Sequence, residues 1–480
     1  MSSSSAGVGA EVRDLAVAAT EIPGLLVVDL PVRGDNRGWF KENWQRAKMT
    51  GLGLPDFGPV QNNVSFNASA GATRGIHAEP WDKYVSIATG RIFGVWVDLR
   101  EGPDFGTVVT LEMGPDRAVF VPSGVGNAFQ VLQDGTAYSY LVNDHWSPAA
   151  TARYTFVNLA DPTLAIGWPI DLADAELSEA DRNHPTLDAV APVPPRGIAI
   201  LGANGQLGRA LQAALPAAVA YGRDVADLAD PASLAALPWG RFHTVVNAAA
   251  YTAVDQAETA QGRRDAWAVN VTAVAELVRL ARAHRVTLVH VSSDYVFDGD
   301  PPDGRESWSE DDAPCPLGVY GQTKAAADAL VGTLDAHYLV RTSWVVGEGK
   351  NFVATMASLA DRGISPQVID DQVGRLTFTA DLAGAIVHLL GSGAPYGTYN
   401  LSCGGPAGSW ADLAAAVFAA RGRSGDDVVR VSTATYAQGK DLAPRPACSV
   451  LALDKVMATG WRLVDGPEAL RRYVDRIARS

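Results

Sequence analysis

The spacing of hydrophobic residues changes near the middle of this chain of 480 residues. Up to about residue 190, short runs in which apolar and polar residues alternate are separated by Gly, Pro, Asn and Asp, and long amphipathic helices are scarce. A period of two predicts β-strands, and evenly spaced strands favour an all-β sandwich or jelly roll. The predicted strands are 25–30, 84–88, 92–99, 107–113, 118–121 and 138–142.

The second half alternates short apolar strands with Ala- and Leu-rich helical stretches. This alternation predicts an α/β Rossmann domain with a doubly wound parallel sheet, whose ligands bind at the C-terminal ends of the strands. The tail from about residue 405 alternates helix and turn, and we expect it to complete a small substrate subdomain. The predicted divisions are a disordered tail (1–15), a jelly-roll domain (16–188), a Pro-rich linker (189–196) and a Rossmann domain (197–480).

Composition narrows the choice of partners and compartment. The formal net charge of −14 argues against non-specific binding to nucleic acid. Three cysteines without a CxxC pair predict a reducing compartment and no disulfide framework. The start of the chain has no basic and apolar leader, and no run of 18 apolar residues occurs, so we expect a cytoplasmic protein with no membrane span.

A glycine-rich turn follows the first predicted strand of the second half. Its spacing is GxxGxxG, at Gly202, Gly205 and Gly208. The first glycine allows a sharp turn, the second allows backbone N–H groups to approach a pyrophosphate, and the third allows the next helix to pack on the strand. The N-terminus of that helix favours an anion. On this motif alone, a turn that binds nothing remains the alternative.

Tyr320 and Lys324 lie four residues apart in a helical stretch, so they share one helix face. A nearby ammonium lowers the pKa of a phenol, which favours proton transfer near neutral pH. Ser293 ends a predicted strand between the glycine turn and this pair. The combination resembles the short-chain dehydrogenase/reductase family in its extended form. The resemblance implies that Ser293 hydrogen-bonds the substrate oxygen and that Lys324 also holds the nicotinamide ribose.

Within that family, the second half resembles dTDP-4-dehydrorhamnose reductase. The matching runs are 247–258, 291–299, 341–344, 351–353, 370–374 and 445–446. For the cofactor we expect NADPH, with NADH as the alternative, because Arg223 suits a 2′-phosphate whereas its acidic neighbours suit a free hydroxyl. Ala210 stands where some members have a glutamate that binds magnesium at a dimer interface, so we expect no metal and no dimer of that kind. The implied cofactor contacts are Gly202, Asn204, Gly205, Gln206, Leu207, Gly208, Asp227, Leu228, Ala248, Ala249, Ala250, Tyr320 and Lys324, and Trp344 is an implied substrate contact.

Two polar stretches of the first half are candidates for a site. Gln61, Asn63 and Ser65 alternate with other residues and share one face of a strand. Arg74 and His77 follow, and they could line one cavity that Lys83 enters from the next strand. The alternative is a surface loop with a satisfied histidine. Cupin-like jelly rolls often bind a metal through closely spaced histidines, but this half has no HxH pair, so metal binding is not expected.

The first half resembles dTDP-4-dehydrorhamnose 3,5-epimerase, a jelly-roll enzyme that acts on a nucleotide sugar. The matching runs are 35–42, 61–65, 74–77, 90–93, 97–100, 120–124, 161–162, 167–169 and 177–181. The resemblance implies a dTDP-sugar substrate and a homodimer formed through this half. It also implies that His77 is a base oriented by Asp181, that Tyr140 is the acid on the other face, that Lys83 stabilises the enolate, and that Arg37, Gln61, Asn63 and Arg74 hold the nucleotide diphosphate.

One departure from the epimerase pattern leaves the outcome open. Asn127 stands where the family usually has histidine, and an amide cannot titrate. We expect a bifunctional enzyme that epimerises C3 and C5 of dTDP-4-dehydro-6-deoxy-D-glucose and then reduces C4. The alternatives are epimerisation of a single carbon, which gives another deoxysugar, and a first half that binds a nucleotide sugar without catalysis.

Overall fold

The computed structural model describes residues 13–146, 151 and 153–478. Contacts divide the chain into two compact units, Met1–Pro195 and Arg196–Ser480. Most of the predicted disordered tail, residues 1–12, lies outside the described residues, and Arg13 forms an ion pair with Asp29 at 2.8 Å. Within the described ranges, no helix combines the length and the apolar character needed to cross a membrane.

The first unit consists mainly of strands, as the alternating pattern predicted. The six predicted strands are all present, with ends that differ by at most two residues. The elements are β1 Ala16–Ala19, β2 Leu26–Asp29, β3 Arg33–Asp35, β4 Gly38–Phe40, α1 Arg46–Gly51, β5 Gln61–Asn67, β6 Thr73–Ala78, β7 Lys83–Thr89, β8 Ile92–Asp98, β9 Val108–Met113, β10 Arg117–Val121, β11 Val125–Val131, β12 Thr136–Val142, β13 Thr155–Phe156 and α2 Glu179–Arg182.

Two antiparallel sheets form the body of this unit. One has the strand order β1-β2-β10-β7-β12-β5 and the other β13-β6-β11-β8-β9. Val85, Trp96, Val119 and Phe129 come from both sheets and share one buried cluster. The core therefore lies between the sheets, and the β6, β7, β11 and β12 strands that cross it can present polar side chains to a common space.

The second unit is built on a parallel sheet with the order β15-β14-β16-β17-β18-β23. The strand order reverses beside β14, which is the place where doubly wound sheets bind ligands. Its first elements are β14 Gly197–Leu201, α3 Gln206–Ala214, β15 Val219–Tyr221, α4 Pro231–Ala235, β16 Phe242–Asn247, α5 Ala260–Trp267, α6 Ala273–His284, β17 Thr287–Ser293, α7 Val319–Val331 and β18 His337–Thr342.

A smaller subdomain follows β18 and contains its own core. Val353, Val417, Phe418 and Val474 from three helices share one buried cluster. Short strands accompany the predicted helices and turns of the tail. The elements are β19 Val345–Val346, α8 Phe352–Asp361, β20 Gln367–Ile369, β21 Val373–Gly374, β22 Thr377–Phe378, α9 Thr379–Gly391, β23 Gly397–Leu401, β24 Gly408–Ser409, α10 Trp410–Ala420, β25 Val429–Val431, α11 Thr433–Tyr436, α12 Asp454–Ala458 and α13 Gly466–Ile477. Of these, α9 and β23 belong to the main sheet layer.

The Pro-rich stretch between the units is held at both ends. Val193 donates its backbone N–H to Leu99 at 2.7 Å and accepts from Glu101 at 2.8 Å, so this part of the stretch belongs to the first unit. The Arg196 side chain bonds the carbonyls of Phe242 and His284 in the second unit. Only a very short segment, near Pro195, is therefore left between the two anchors.

Candidate active sites

A cavity of about 200 Å³ opens among strands of the first unit. Five of the residues predicted from the sequence line it, and they come from four different elements. β6 provides Arg74 and His77, β7 provides Lys83, β12 provides Tyr140, and α2 provides Asp181. The other lining residues are Gly75, Glu79, Asn127, Phe129 and Tyr138.

His77 and Asp181 form a hydrogen-bonded pair in this cavity. The Nε2 atom of His77 lies 2.9 Å from Oδ1 of Asp181. Ser178 caps the short helix α2 by accepting the backbone N–H of Asp181 at 3.1 Å, which fixes the position of the carboxylate. Burial raises the pKa of Asp181, but hydrogen bonds from His77 and Ser178 outweigh it and hold that pKa below its usual value. The ionised carboxylate accepts the Nε2 proton of neutral His77, so Nδ1 keeps a free lone pair and can act as a base.

A second imidazole shares the same carboxylate oxygen. His184 Nε2 lies 3.3 Å from Asp181 Oδ1, and the ring stacks on Phe156 with centroids 4.7 Å apart. Burial, and then the charge of His77, lower the pKa of His184. Sequence reasoning missed this residue, although its position three residues after Asp181 was an available signal. The ligand atoms of His77, Asp181 and His184 lie within 4.8 Å of one another, so this group also has the donors of a metal site. The absence of a metal stays a prediction.

Lys83 reaches the cavity as half of a buried ion pair. Its Nζ lies 2.6 Å from Oε2 of Glu79, and the indole N–H of Trp81 donates to the same oxygen at 2.8 Å. The ammonium also lies 5.9 Å from the centre of the Tyr140 ring. Burial, and next the charge of Glu79, raise the pKa of Tyr140, which keeps this phenol protonated as an acid must be. Glu79 was not singled out from the sequence, although it precedes Lys83 by four residues.

Asn127 lies on β11 directly opposite His77 in the strand register. It is buried, and its Oδ1 accepts a hydrogen bond of 2.7 Å from the Tyr138 hydroxyl. Its Nδ2 donates to the Ala128 carbonyl at 3.2 Å. The amide therefore gives the cavity a neutral hydrogen-bonded pair with Tyr138, where a histidine would give a group that titrates.

The residues predicted to hold the nucleotide diphosphate are only partly brought together. Arg74 lines the cavity, whereas Gln61 donates to Asn63 at 2.8 Å on β5. Asn63 also hydrogen-bonds Tyr140, so it contacts a residue of the cavity wall without lining the cavity itself. Arg37 lies in the turn between β3 and β4, is largely exposed and pairs with Asp35 at 2.6 Å. It does not line the cavity of its own chain.

The glycine-rich turn of the second unit has the conformation that the spacing predicted. Gly202 has φ of +81°, and a Cβ there would lie 2.8 Å from the Ala249 nitrogen. A Cβ at Gly208 would lie 2.1 Å from the Gly202 carbonyl, so helix and strand pack too closely for any side chain. Helix α3 begins after Gly205 without a side-chain cap, which leaves its first N–H groups available to an anion.

A cleft of about 420 Å³ lies beside this turn, where the strand order reverses. Six residues discussed from the sequence line it, namely Gly202, Arg223, Asp227, Leu228, Ala249 and Ala250. Arg223 is largely exposed at the rim, and its Nε lies 3.3 Å from Asp227 Oδ2. Sequence reasoning missed Ala226, Ala229, Tyr251, Thr252, Ala253, Asp265, Ala268 and Val269 in the same lining.

Four further predicted cofactor contacts, Asn204, Gln206, Leu207 and Ala248, lie around the turn and do not line the cleft. Asn204 lies within the turn, and Ala248 follows β16 directly. Gln206 donates to the Lys350 carbonyl at 3.0 Å and faces a different cavity. Leu207 is buried and packs in a core cluster of the sheet. The latter two side chains therefore support the turn, and only their backbone can approach a ligand.

Ser293 ends strand β17, and Tyr320 and Lys324 lie on α7. Burial, followed by the charge of Asp294, raises the pKa of Tyr320, while a hydrogen bond from Ser293 opposes this. The expected lowering of the Tyr320 pKa is therefore wrong for this structure, because loss of hydration is the largest effect on that pKa. The Nζ of Lys324 instead donates to the Val291 carbonyl at 2.7 Å.

Tyr295, which was not assigned a role from the sequence, lies beside Tyr320. The two rings meet edge to face at 5.6 Å, and both line a small pocket with Glu258 and Pro444. Arg445 holds the nearby segment through two bonds to Asp255, at 2.8 and 3.0 Å.

Trp344 is positioned by packing. It stacks on Trp410 with ring centroids 3.7 Å apart, and a Cβ at Gly374 would lie 2.6 Å from it. It lines a separate cavity of about 250 Å³ in the subdomain, together with Arg375 and Asp412. The predicted role of Trp344 in substrate binding stays a prediction.

Comparison with known proteins covers nearly all of both units. A family model described as RmlD substrate binding domain matches residues 196–479, and one described as dTDP-4-dehydrorhamnose 3,5-epimerase matches residues 19–189. The first half is 54% identical over 183 residues to a protein named RmlC homolog from Streptococcus pyogenes serotype M6, which spans 37% of this chain and 92% of that protein.

The second half has relatives of similar completeness. It is 37% identical over 291 residues to the dTDP-4-dehydrorhamnose reductase of Aggregatibacter actinomycetemcomitans, which spans 57% of this chain and 96% of that protein. A crystal structure of dTDP-4-dehydrorhamnose reductase from Bacillus anthracis in complex with NADP is 31% identical, with a TM-score of 0.53, and covers 58% of this chain and 98% of its own.

Proposed function

The chain belongs to the family of the RmlD substrate binding domain and carries an epimerase domain before it, and we propose that it is a bifunctional enzyme of dTDP-L-rhamnose synthesis. The first unit epimerises C3 and C5 of dTDP-4-dehydro-6-deoxy-D-glucose. The second unit reduces the C4 ketone with NADPH to give dTDP-L-rhamnose. We further assign the first unit, with its two packed antiparallel sheets, to the cupin-like jelly-roll class.

The observation that carries the epimerase assignment is the convergence of base, acid and cation on one cavity. The C4 carbonyl makes the protons on C3 and C5 acidic. His77 takes such a proton on Nδ1 while Asp181 stabilises the imidazolium that forms. The ammonium of Lys83 stabilises the enolate oxygen, and Tyr140 returns a proton from the opposite face. Arg74 at the cavity wall suits a phosphate oxygen of the nucleotide.

The reductase assignment depends on a cleft that fits a dinucleotide. Gly202 and Gly208 allow the close backbone approach that a pyrophosphate would need, and the uncapped start of α3 would offer it N–H donors. NADPH, when bound there, supplies the hydride. Tyr320 donates a proton to the C4 oxygen, and the Ser293 hydroxyl positions that oxygen. Arg223 at the rim suits the 2′-phosphate, which distinguishes NADPH from NADH.

Two variants separate the partial reactions. With Tyr320→Phe, we expect the sugar nucleotide to exchange C3 and C5 hydrogens with solvent while NADPH is not consumed. With His77→Ala, we expect no exchange and no reduction of the unepimerised ketone. Intact overall turnover by His77→Ala would instead support a first unit that binds without catalysis. If the wild type exchanged the sugar hydrogens but did not oxidise NADPH, the assignment of the second unit as a reductase would be rejected.

Epimerisation of one carbon is a second candidate, because Asn127 and Tyr138 offer a neutral pair where the family usually has histidine. Mass and NMR analysis of product formed in D₂O distinguishes the two. Deuterium at C3 alone favours this candidate, and deuterium at both carbons rejects it.

We also propose a homodimer through the first unit. The strand β5 lies at a sheet edge and exposes Val64 and Phe66, and the β3–β4 hairpin exposes Trp39 and Phe40. Exposed apolar side chains on an edge strand are typical of a protein interface. Light scattering should give twice the chain mass, and replacing Val64 and Phe66 with Asp should give the monomer. A wild-type monomer at micromolar concentration would contradict the proposal.

A further inference from the structure

A buried chain of polar groups in the second unit leads from the end of β16, beside the glycine-rich turn, to Lys324 on α7. Asn247 ends β16 and lies beside His290 on β17 in the strand register. Asn247 Nδ2 lies 3.0 Å from His290 Nδ1, and His290 Nε2 lies 3.4 Å from Lys324 Nζ. All three side chains are at most 1% exposed. The reaction proposed above gives none of these three side chains a role, and Lys324 enters only through the resemblance, which implies that it holds the nicotinamide ribose.

The backbone sets the direction in which the protons of this chain point. The N–H of Ala249 can only donate, and it donates to Oδ1 of Asn247 at 3.1 Å. Asn247 must therefore turn Nδ2 toward His290, where it donates to Nδ1. Burial lowers the pKa of His290 well below its usual value, so the ring is neutral and carries a single proton. That proton lies on Nε2 and points at Lys324.

An N–H that points at an ammonium is unfavourable, since both groups are donors, whereas it can donate to the lone pair of a neutral amine. We propose that Asn247 and His290 are positioning residues that present this N–H to Lys324 and favour its neutral form. The inference depends on the proposed reductase function only for its role in turnover. The polarity of the chain follows from the fold alone.

The other charged groups around Lys324 act in both directions. Burial lowers the pKa of Lys324 to about 8, while Asp328, one turn along α7, raises it. Asp328 is shared with Arg341, whose Nε lies 3.0 Å from it, so its effect on Lys324 is reduced. Tyr320 lies one turn before Lys324 on the same helix, and Asp294 acts on that phenol. His290 is the group that Lys324 Nζ meets from β17, apart from the Val291 carbonyl.

Asn247→Asp reverses the chain while it keeps nearly the same shape. A carboxylate accepts from both the Ala249 N–H and the ring, so the His290 proton moves to Nδ1 and the Nε2 lone pair faces Lys324. We expect the pKa of Lys324 to rise by at least about one unit in this variant. Selective ¹³Cε labelling of lysine measures this in the full chain without cofactor or substrate. The chain has seven lysines, and Lys324→Arg identifies the signal.

The new charge also acts on Lys324 directly, and a double-mutant cycle removes that contribution. Asn247→Asp is repeated in a His290→Phe background, where no ring nitrogen connects the two sites. A larger shift when His290 is present than in the His290→Phe background supports the chain. Equal shifts overturn it, as does a wild-type Lys324 that titrates near the usual value of about 10.4.

Wild-type protein alone gives a further test, which does not depend on a variant that folds. Long-range ¹⁵N spectra of histidine distinguish the two neutral tautomers, and His290 should have its proton on Nε2 at every pH at which the protein is folded. A proton on Nδ1 overturns the inference. In turnover, the loss of NADPH oxidation at alkaline pH should occur at a higher pH in Asn247→Asp than in the wild type. A protein that shows the expected titration but does not oxidise NADPH would reject the proposed function and leave this inference standing.

Discussion

Replacing Asp181 with Asn tests the geometry of the epimerase site. Asp181 Oδ1 accepts from His77 Nε2 at 2.9 Å and lies 3.3 Å from His184 Nε2. The amide keeps the shape and one acceptor oxygen but loses the negative charge that stabilises a protonated His77. We expect proton abstraction from the sugar to slow, because the imidazolium forms during that step.

The size of the effect follows from the hydrogen bond that is weakened. A hydrogen bond with a charged partner contributes about 1.5–3 kcal/mol net, roughly twice what a neutral one contributes. Asp181 is buried, at 6% exposed, so water does not compensate for the lost charge. Because the amide still accepts a neutral hydrogen bond, about half of this contribution is lost, and since about 1.4 kcal/mol corresponds to a factor of ten, exchange should slow about 4- to 13-fold.

The assay measures incorporation of deuterium at C3 and C5 by NMR, with the keto sugar nucleotide in D₂O and no NADPH. The reductase of the same chain is an internal control for folding, since its rate on the pre-epimerised ketone should not change. Glu179→Gln is the matched control, because Glu179 lies on the same short helix, is exposed and undergoes the same change of charge. It should exchange at the wild-type rate.

Exchange by Asp181→Asn within twofold of wild type would refute the reasoning, because it would show that the carboxylate does not act on the base. Equal losses of exchange and of reductase activity would show damage to the protein rather than to the site.

Three other predictions concern the reductase unit. Burial raises the pKa of Asp294 to about 6, so ionisation of this carboxyl destabilises the unit as pH rises from about 4 to 6. Asp294→Asn should add about 2–3 kcal/mol to the free energy of unfolding of this unit at pH 8 and nothing below pH 4. Denaturant melts in which the gain does not depend on pH would contradict this. Asp328→Asn leaves Arg341 buried without its carboxylate, which should cost about 3 kcal/mol in the same melts, whereas the exposed Asp335→Asn should cost less than about 0.5. Arg223→Ala should lower kcat/KM several-fold for NADPH and leave that for NADH unchanged, and equal losses would place the 2′-phosphate elsewhere.

Local pattern predicted the elements of both units well. Residues 92–98 and 138–142 were predicted as strands from short runs bounded by turn residues, and the structure has strands there, the first of them almost wholly buried. Gly202 and Gly208 were assigned from spacing alone, and their roles appear as a positive φ and a close contact. Signals of this kind depend on residues near in sequence, which is why they could be recovered without the structure.

What depends on distant contacts could not be predicted in the same way. His77 and Asp181 meet across 104 positions, and only the resemblance to a family linked them. The only sequence signals for His184 and Glu79 were their spacings, three residues after Asp181 and four before Lys83, and their importance comes from the groups that they contact. The pKa of Tyr320 was predicted in the wrong direction because spacing shows the neighbouring Lys324 but not the depth of burial.

The central claim is that one chain performs epimerisation and reduction in sequence. The most direct test incubates purified protein with dTDP-4-dehydro-6-deoxy-D-glucose and NADPH in D₂O, follows NADPH absorbance and identifies the product by NMR. We predict dTDP-L-rhamnose with deuterium at both C3 and C5 and one NADPH consumed per sugar. NADPH consumption with deuterium at one carbon or none would contradict the claim, because the sugar would then reach the reductase without the full epimerisation assigned to the first unit.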